Sequence, residues 1–159
     1  VYLERKSTYK KLRYANDESY RVTSMARCLI RRTLDKLGLV KTEVSEQLLG
    51  CTYDELMIHL NTNARGFVFG DDTFGKLHVD HIRPISSFDV LCYVELLKAC
   101  NYNNLQLLPA SENLAKGAKF TLEDAAAFAA SKGGLAIEQL ALEWKASGIC
   151  KGVSCVCNK

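Results

Sequence analysis

Only two segments of this 159-residue chain carry a strand pattern, and both lie inside an otherwise helical sequence. KLHVDHI (76–82) alternates, contains β-branched residues and is stopped by Pro84, which cannot donate to a ladder. NLQLLP (104–109) is the second strand, and residues 85–103 connect the two through a short helical stretch, YVELLKAC. Ser111 then opens a helix through ENLAKGAK as its cap. The local order is strand, long connection, strand, helix.

Helical periodicity dominates elsewhere. Residues 4–16, ERKSTYKKLRYAN, are basic, carry interleaved tyrosines and lack a clean period, so they read as an arm or a short irregular helix. From Glu18 the pattern sharpens: Val22, Met25, Ala26, Leu29, Ile30, Leu34 and Leu37 recur at three- and four-residue steps as one apolar stripe. Gly38 is a natural stop. A second helical region over 43–60 is broken near Gly50, and Thr52 with Glu55 forms a capping box opening YDELMIHL. His59 in that helix reads as a partly buried structural histidine. Thr121 with Asp124 opens an alanine-rich helix that Gly133 and Gly134 interrupt, and a final helix runs to about Ser147. The expected fold class is α+β and helix-rich, a single domain over 1–159 with N-terminal helices and a C-terminal helical hairpin around the two strands.

Composition fits that reading. Apolar residues make up 48% and charged residues 25%, a globular mix that disfavours disorder and repeats. No apolar run approaches the length of a membrane span, so no membrane association is expected. The net charge is only +3, but residues 1–42 hold 11 of the 21 Lys and Arg against four acids, and the rest of the chain is net acidic. A basic front end suits a polyanionic partner, although a solvated helix face gives the same pattern. Seven cysteines at 28, 51, 92, 100, 150, 155 and 157 form no CxxC pair, so a structural zinc is not expected. Free thiols in an intracellular, reducing compartment are expected, and an organelle would follow if a targeting segment had been removed before Val1. Cys150, Cys155 and Cys157 cluster near the end without an assigned role.

The strand–strand–helix stretch also concentrates groups that bind metal or phosphate: His78, Asp80, His81, Asn104, Asn113, Lys116 and Lys119. LHVDHIRPISSF at 77–88, followed by NYNNLQLLPASENLAKGAK at 101–119, resembles the HNH endonuclease family, whose core is a ββα-metal finger. The match is to the HNN variant, with His81 first, Asn104 in the middle and Asn113 last. The upstream LGCTYDELMIHL looks like the helical lead-in of many bacterial and phage members. The resemblance covers roughly 48–119, the expected nuclease core, between a basic helical region (1–47) and C-terminal helices with a tail (120–159).

The resemblance implies a divalent-metal-dependent endonuclease acting on DNA. Asp80 and the side-chain oxygen of Asn113 would hold one Mg²⁺ or Mn²⁺, with His78 as a further candidate for contact with the ion. An oxygen-rich set of this kind suits a hard cation. His81 would be the general base, Asn104 would fix the loop and orient the imidazole, and Lys116 would hold phosphate. Adjacent strand residues point to opposite faces, so Asp80 and His81 share a site only if the strand end is twisted or bulged. Lys119 and Arg83 are candidates for phosphate contact, as are Arg21, Arg27, Arg31 and Arg32 on the basic helix. Tyr2, Tyr9, Tyr14 and Tyr20 are candidates for stacking on bases. The competing expectation is a non-catalytic nucleic-acid-binding or architectural subunit of a nucleoprotein that retains the HNH scaffold. RNA is the alternative substrate.

Overall fold

A computed structural model describes residues 2–36, 38, 45–63, 65–69, 75–89 and 91–148. Among these it shows eight α-helices and one two-stranded antiparallel sheet, a helix-rich α+β architecture. The tail cysteines Cys150, Cys155 and Cys157 and the stripe residue Leu37 lie outside the described residues.

The N-terminal half is helical. α1 (Tyr2–Asn16) is continuous over 15 residues, where the sequence suggested an arm or an irregular helix. Its basic surface needs no apolar stripe because it rests on α2 (Glu18–Lys36) alone among the larger contacts. Asp17 joins them by accepting from the Tyr20 backbone N–H at 2.9 Å and from Arg13 Nε at 3.1 Å. The α2 stripe divides: Val22, Ala26, Ile30 and Leu34 are buried in the core, while Met25 and Leu29 are half-buried beside it. Gly38 follows the helix at φ 65°, the left-handed conformation a C-terminal stop requires. α3 (Ser45–Leu49) ends at Gly50, also at positive φ, and α4 (Tyr53–Asn61) opens with the Thr52–Glu55 capping box in reciprocal form.

β1 (Leu77–His81) pairs antiparallel with β2 (Leu105–Pro109), and Asp80 lies opposite Gln106 and His81 opposite Leu105. β2 starts one residue later than expected, because Asn104 closes a 3₁₀ turn (Tyr102–Asn104) after α5 (Tyr93–Cys100). α6 (Ala110–Lys116) begins directly at the end of β2, so Ser111 lies within it and does not cap it. It stops at Lys116 because Gly117 adopts φ 52°, shortening the expected ENLAKGAK helix. α6 packs on both strands, and α2 packs on α3, α4 and β1. One apolar core spans these elements, from Val22 and Ile30 through Leu48, Leu49 and Leu56 to Leu77, Leu97, Leu105 and Leu107.

α7 (Leu122–Ala130) opens with the expected Thr121–Asp124 capping box. The break before α8 (Lys132–Ala146) falls at Ser131, whose hydroxyl oxygen accepts from the Gly134 N–H at 3.0 Å. The two glycines lie in the first turn of α8 and serve close approach. A Cβ on Gly134 would lie 2.0 Å from the Phe128 carbonyl oxygen, and one on Gly133 would lie 2.8 Å from the Asn103 carbonyl oxygen. α8 thereby reaches both α5 and the Tyr102–Asn104 turn. Lys98, buried on α5, joins Glu95 at 2.9 Å and Glu138 of α8 at 2.7 Å.

The backbone contact at Gly134 sets an expectation. Gly134→Ala must displace α8 from α7, and overpacking of this kind costs about 1–3 kcal/mol. Urea unfolding should report a lower midpoint with an unchanged slope. An equal loss is not expected for Gly148→Ala, where nothing lies within 4 Å of the added atom and only the strain of φ 68° acts.

Candidate active site

The strand pair and α6 bring four polar residues of the sequence motif to one place. Asp80 is the hub. Its Oδ2 accepts from Lys116 Nζ at 2.6 Å and from Gln106 Nε2 at 3.4 Å. Lys116 Nζ also donates to the His81 carbonyl oxygen at 2.5 Å. His78, two residues before Asp80 on the same strand face, has Nδ1 3.1 Å from Asn113 Nδ2, which donates when that ring nitrogen carries the lone pair. Three residues separate Asn113 from Lys116, so both project from one face of α6.

Two hollows adjoin Asp80. One, of about 570 Å³, lies against α2 and is bordered by His78, Asp80, Asn113, Cys28 and Arg32. The other, of about 1130 Å³, is bordered by Asp80, His81, Lys116, Arg32 and Pro84. Asp80 and His81 thus border one space although their side chains leave opposite faces of β1. His81 is the last residue of the strand, where the chain turns away into Ile82 and Arg83.

His81 is 9% exposed. Burial depresses its imidazole from the ordinary 6.5 to about 4; the Asp80 carboxylate opposes that shift and the Lys116 ammonium adds to it. The ring is therefore neutral at pH 7, the form that can accept a proton.

Asn104 is fully buried and its amide is fully engaged. Its Oδ1 accepts from the Arg83 N–H at 2.8 Å, and its Nδ2 donates to the Arg83 and Ala99 carbonyl oxygens, each at 3.0 Å. Its own backbone carbonyl accepts from the Ile82 N–H at 2.7 Å. It fixes the loop after β1 through backbone groups, two residues beyond His81.

The arginines separate. Arg21 is 2% exposed and turned inward, with Nη1 donating to the Tyr14 and Ala15 carbonyls at 3.2 and 2.7 Å. It satisfies the carbonyl end of α1, which corrects its assignment to a polyanion-facing surface. Arg83 is folded onto its own loop, bonded to Ser87 Oγ at 3.0 Å and to the Ser87 carbonyl at 2.7 Å, with its guanidinium 4.0 Å from the Phe88 ring centroid. Arg27 is exposed but donates to the Tyr53 hydroxyl at 3.0 Å. Arg31 and Arg32 are exposed, and Arg32 borders both hollows. Lys119 lies beyond α6 on a third hollow of about 510 Å³ with Lys116, Gln106 and Phe120. Of the tyrosines, Tyr9 is exposed. Tyr14 and Tyr20 pack edge to face with centroids 6.5 Å apart, and the Tyr2 side chain lies outside those described.

Sequence reading missed Gln106 and the uncharged α2 residues that line the smaller hollow. Gln106 is the one polar side chain in LQLLP, and a polar residue paired across from a carboxylate was the available signal. Cys28 and Met25 border the smaller hollow, a placement no local pattern encodes. His59 behaves as expected: Nε2 lies 3.0 Å from the Leu105 carbonyl oxygen and the ring meets Tyr102 edge-on at 5.1 Å. Cys92 and Cys100 are buried, Cys28 and Cys51 are partly buried, and none of the four forms a disulfide. Burial pushes the Cys51 and Cys100 thiols up to about 12. Among the described residues, no helix is long and apolar enough to cross a membrane, and no three His, Cys, Asp or Glu residues cluster as a metal-ligand group. No protein-family model, curated protein or solved structure matches the chain.

The His81 environment gives a pH expectation. The folded state disfavours the imidazolium, so the unfolded chain binds more protons below about pH 6.5. The stability tied to a neutral ring is fully present above that pH. It is lost as pH falls toward about 4, by about 3 kcal/mol in all. Urea denaturation from pH 7.5 to 4 should show this decline in the parent protein and a flatter profile in His81→Gln.

Proposed function

We propose that the protein is a divalent-metal-dependent endonuclease of the HNH type, hydrolysing phosphodiester bonds in DNA. One observation carries the reading: Asp80, His81 and Lys116 border a single hollow, and Asp80 and Asn113 border its neighbour, with α6 packed on the strand pair that bears them. In this reading β1, β2 and α6 are the ββα unit.

Asp80 and Asn113 suit Mg²⁺ or Mn²⁺: one carboxylate and one amide on a shared hollow, with the His78 imidazole beside them. A bound divalent ion supplies charge neutralisation for the phosphate and for the departing alkoxide. His81, neutral at physiological pH because it is buried, accepts the proton of the attacking water. Its low basicity keeps it unprotonated but limits its driving force, so its reach to the water governs its contribution. Asn104 holds the loop that follows His81 and so limits drift of the strand end. Lys116 and Arg32 give the larger hollow two cationic walls for the substrate backbone, and Arg31 extends the charge along exposed α2.

Supercoiled plasmid tests the reading. Incubated with Mg²⁺ or Mn²⁺, the parent protein should convert it to nicked or linear form. His81→Ala should reduce cleavage at least 100-fold, the lower range for a lost general base, while retaining DNA binding in gel shift. A clean preparation that binds DNA and never cuts it under any divalent metal supports the non-catalytic scaffold reading. Cleavage of RNA but not DNA in a parallel assay reassigns the substrate.

A further inference from the structure

The Lys116–Asp80 pair is more than a generic ion pair. Both side chains are largely withdrawn from solvent, at 21% and 14% exposure, and the 2.6 Å contact uses the oxygen that Gln106 also approaches. The ammonium is held a second time by the His81 carbonyl. Lys116 therefore neutralises the carboxylate that, on the endonuclease reading, faces a divalent ion. Two cations compete for Asp80, and their mutual repulsion in a half-buried site is large.

The surroundings give Lys116 somewhere to go. It occupies the last turn of α6, ahead of Gly117, and its four-carbon stem can reorient without backbone movement. The 1130 Å³ hollow begins at Lys116 itself and is walled by Arg32, Pro84 and Ile85. Apart from Arg32 and Lys116 itself, the charged residues bordering it are Asp35 and Asp80, with the neutral His81 beside them. An ammonium turned into this space from Asp80 enters the region assigned to the substrate backbone.

We propose that Lys116 is an exchangeable counter-ion. It neutralises Asp80 in the metal-free protein, leaves that carboxylate when Mg²⁺ or Mn²⁺ is bound, and then faces a phosphate in the adjoining hollow. The inference rests on the endonuclease reading for the identity of the competing cation. Lys116 thereby opposes metal loading in the absence of a polyanion, and substrate phosphate rewards the exchange.

The test is made without nucleic acid. Calorimetric titration with Mn²⁺ at pH 7.5 compares the parent with Lys116→Gln, which keeps a donor for the His81 carbonyl, Lys116→Met and Asp80→Asn. Circular dichroism verifies that each is folded. Removing the competing ammonium should tighten Mn²⁺ binding about tenfold in both Lys116 variants, while Asp80→Asn should lose it. In ¹⁵N-lysine-labelled parent protein, the ammonium resonance absent from Lys116→Gln should shift on saturation with Mg²⁺. Unchanged or weaker Mn²⁺ binding in both folded variants overturns the exchange, as does a Lys116 resonance unmoved by saturating Mg²⁺. If plasmid cleavage persists in that case, the endonuclease reading survives alone; if the parent neither binds Mn²⁺ nor cleaves, both readings fall.

Discussion

The buried amide of Asn104 is the constraint on which the geometry of the site depends. Two strands joined by more than twenty residues have no tight turn to set their relation. Asn104 supplies the missing closure by bonding both backbone groups of Arg83 and the end of α5. Each bond adds only about 1 kcal/mol net, but an unsatisfied buried amide costs more than it would gain. The polar group therefore selects one arrangement of the strand end rather than adding bulk stability. The Ile82 N–H to Asn104 carbonyl bond extends the ladder one step past His81. Drift of this loop would change the direction of the imidazole before it changed the core.

Around that closure the site is an electrostatic balance in a partly dry setting. Asp80 is offset by Lys116 and shares its hollow with Arg32, while His81 stays neutral because its burial outweighs the attraction of the adjacent carboxylate. The smaller hollow is of mixed character, with Met25, Leu29 and Cys28 on the α2 side and His78, Asp80 and Asn113 on the strand and α6 side. The α2 wall thus joins two residues of the apolar stripe to the cationic Arg32, while the strand and α6 supply the carboxylate, the imidazole and the amide.

Much of this was legible in the sequence where the signal is local. Both capping boxes, the Gly38 stop, the two strands and the α2 stripe follow from residue type and spacing. The grouping of Asp80, His81, Asn113 and Lys116 was legible as an ordered motif. The failures have a common cause. α1 lacks a period because it meets the rest of the chain on a narrow face, so its helicity owes little to apolar patterning. Arg21 resembles its solvated neighbours in sequence, and only the bend between α1 and α2 turns it toward the α1 carbonyls. Gly133 and Gly134 read as breakers because composition does not reveal a carbonyl oxygen lying where a methyl would be. Each requires knowing what lies across a gap, which spacing does not carry.

The division of α2 into core-facing and hollow-facing residues means that the basic N-terminal region is not a detachable handle. Ile30 and Leu34 fill the same interior as Leu56 and Leu105, while Leu29 and Arg32 of the same helix wall the hollows beside Asp80. A fragment beginning at residue 48 would expose the apolar side of the strand layer and lose one bank of its cleft in the same cut. Grafting this motif onto another scaffold would therefore require transplanting the covering helix with it.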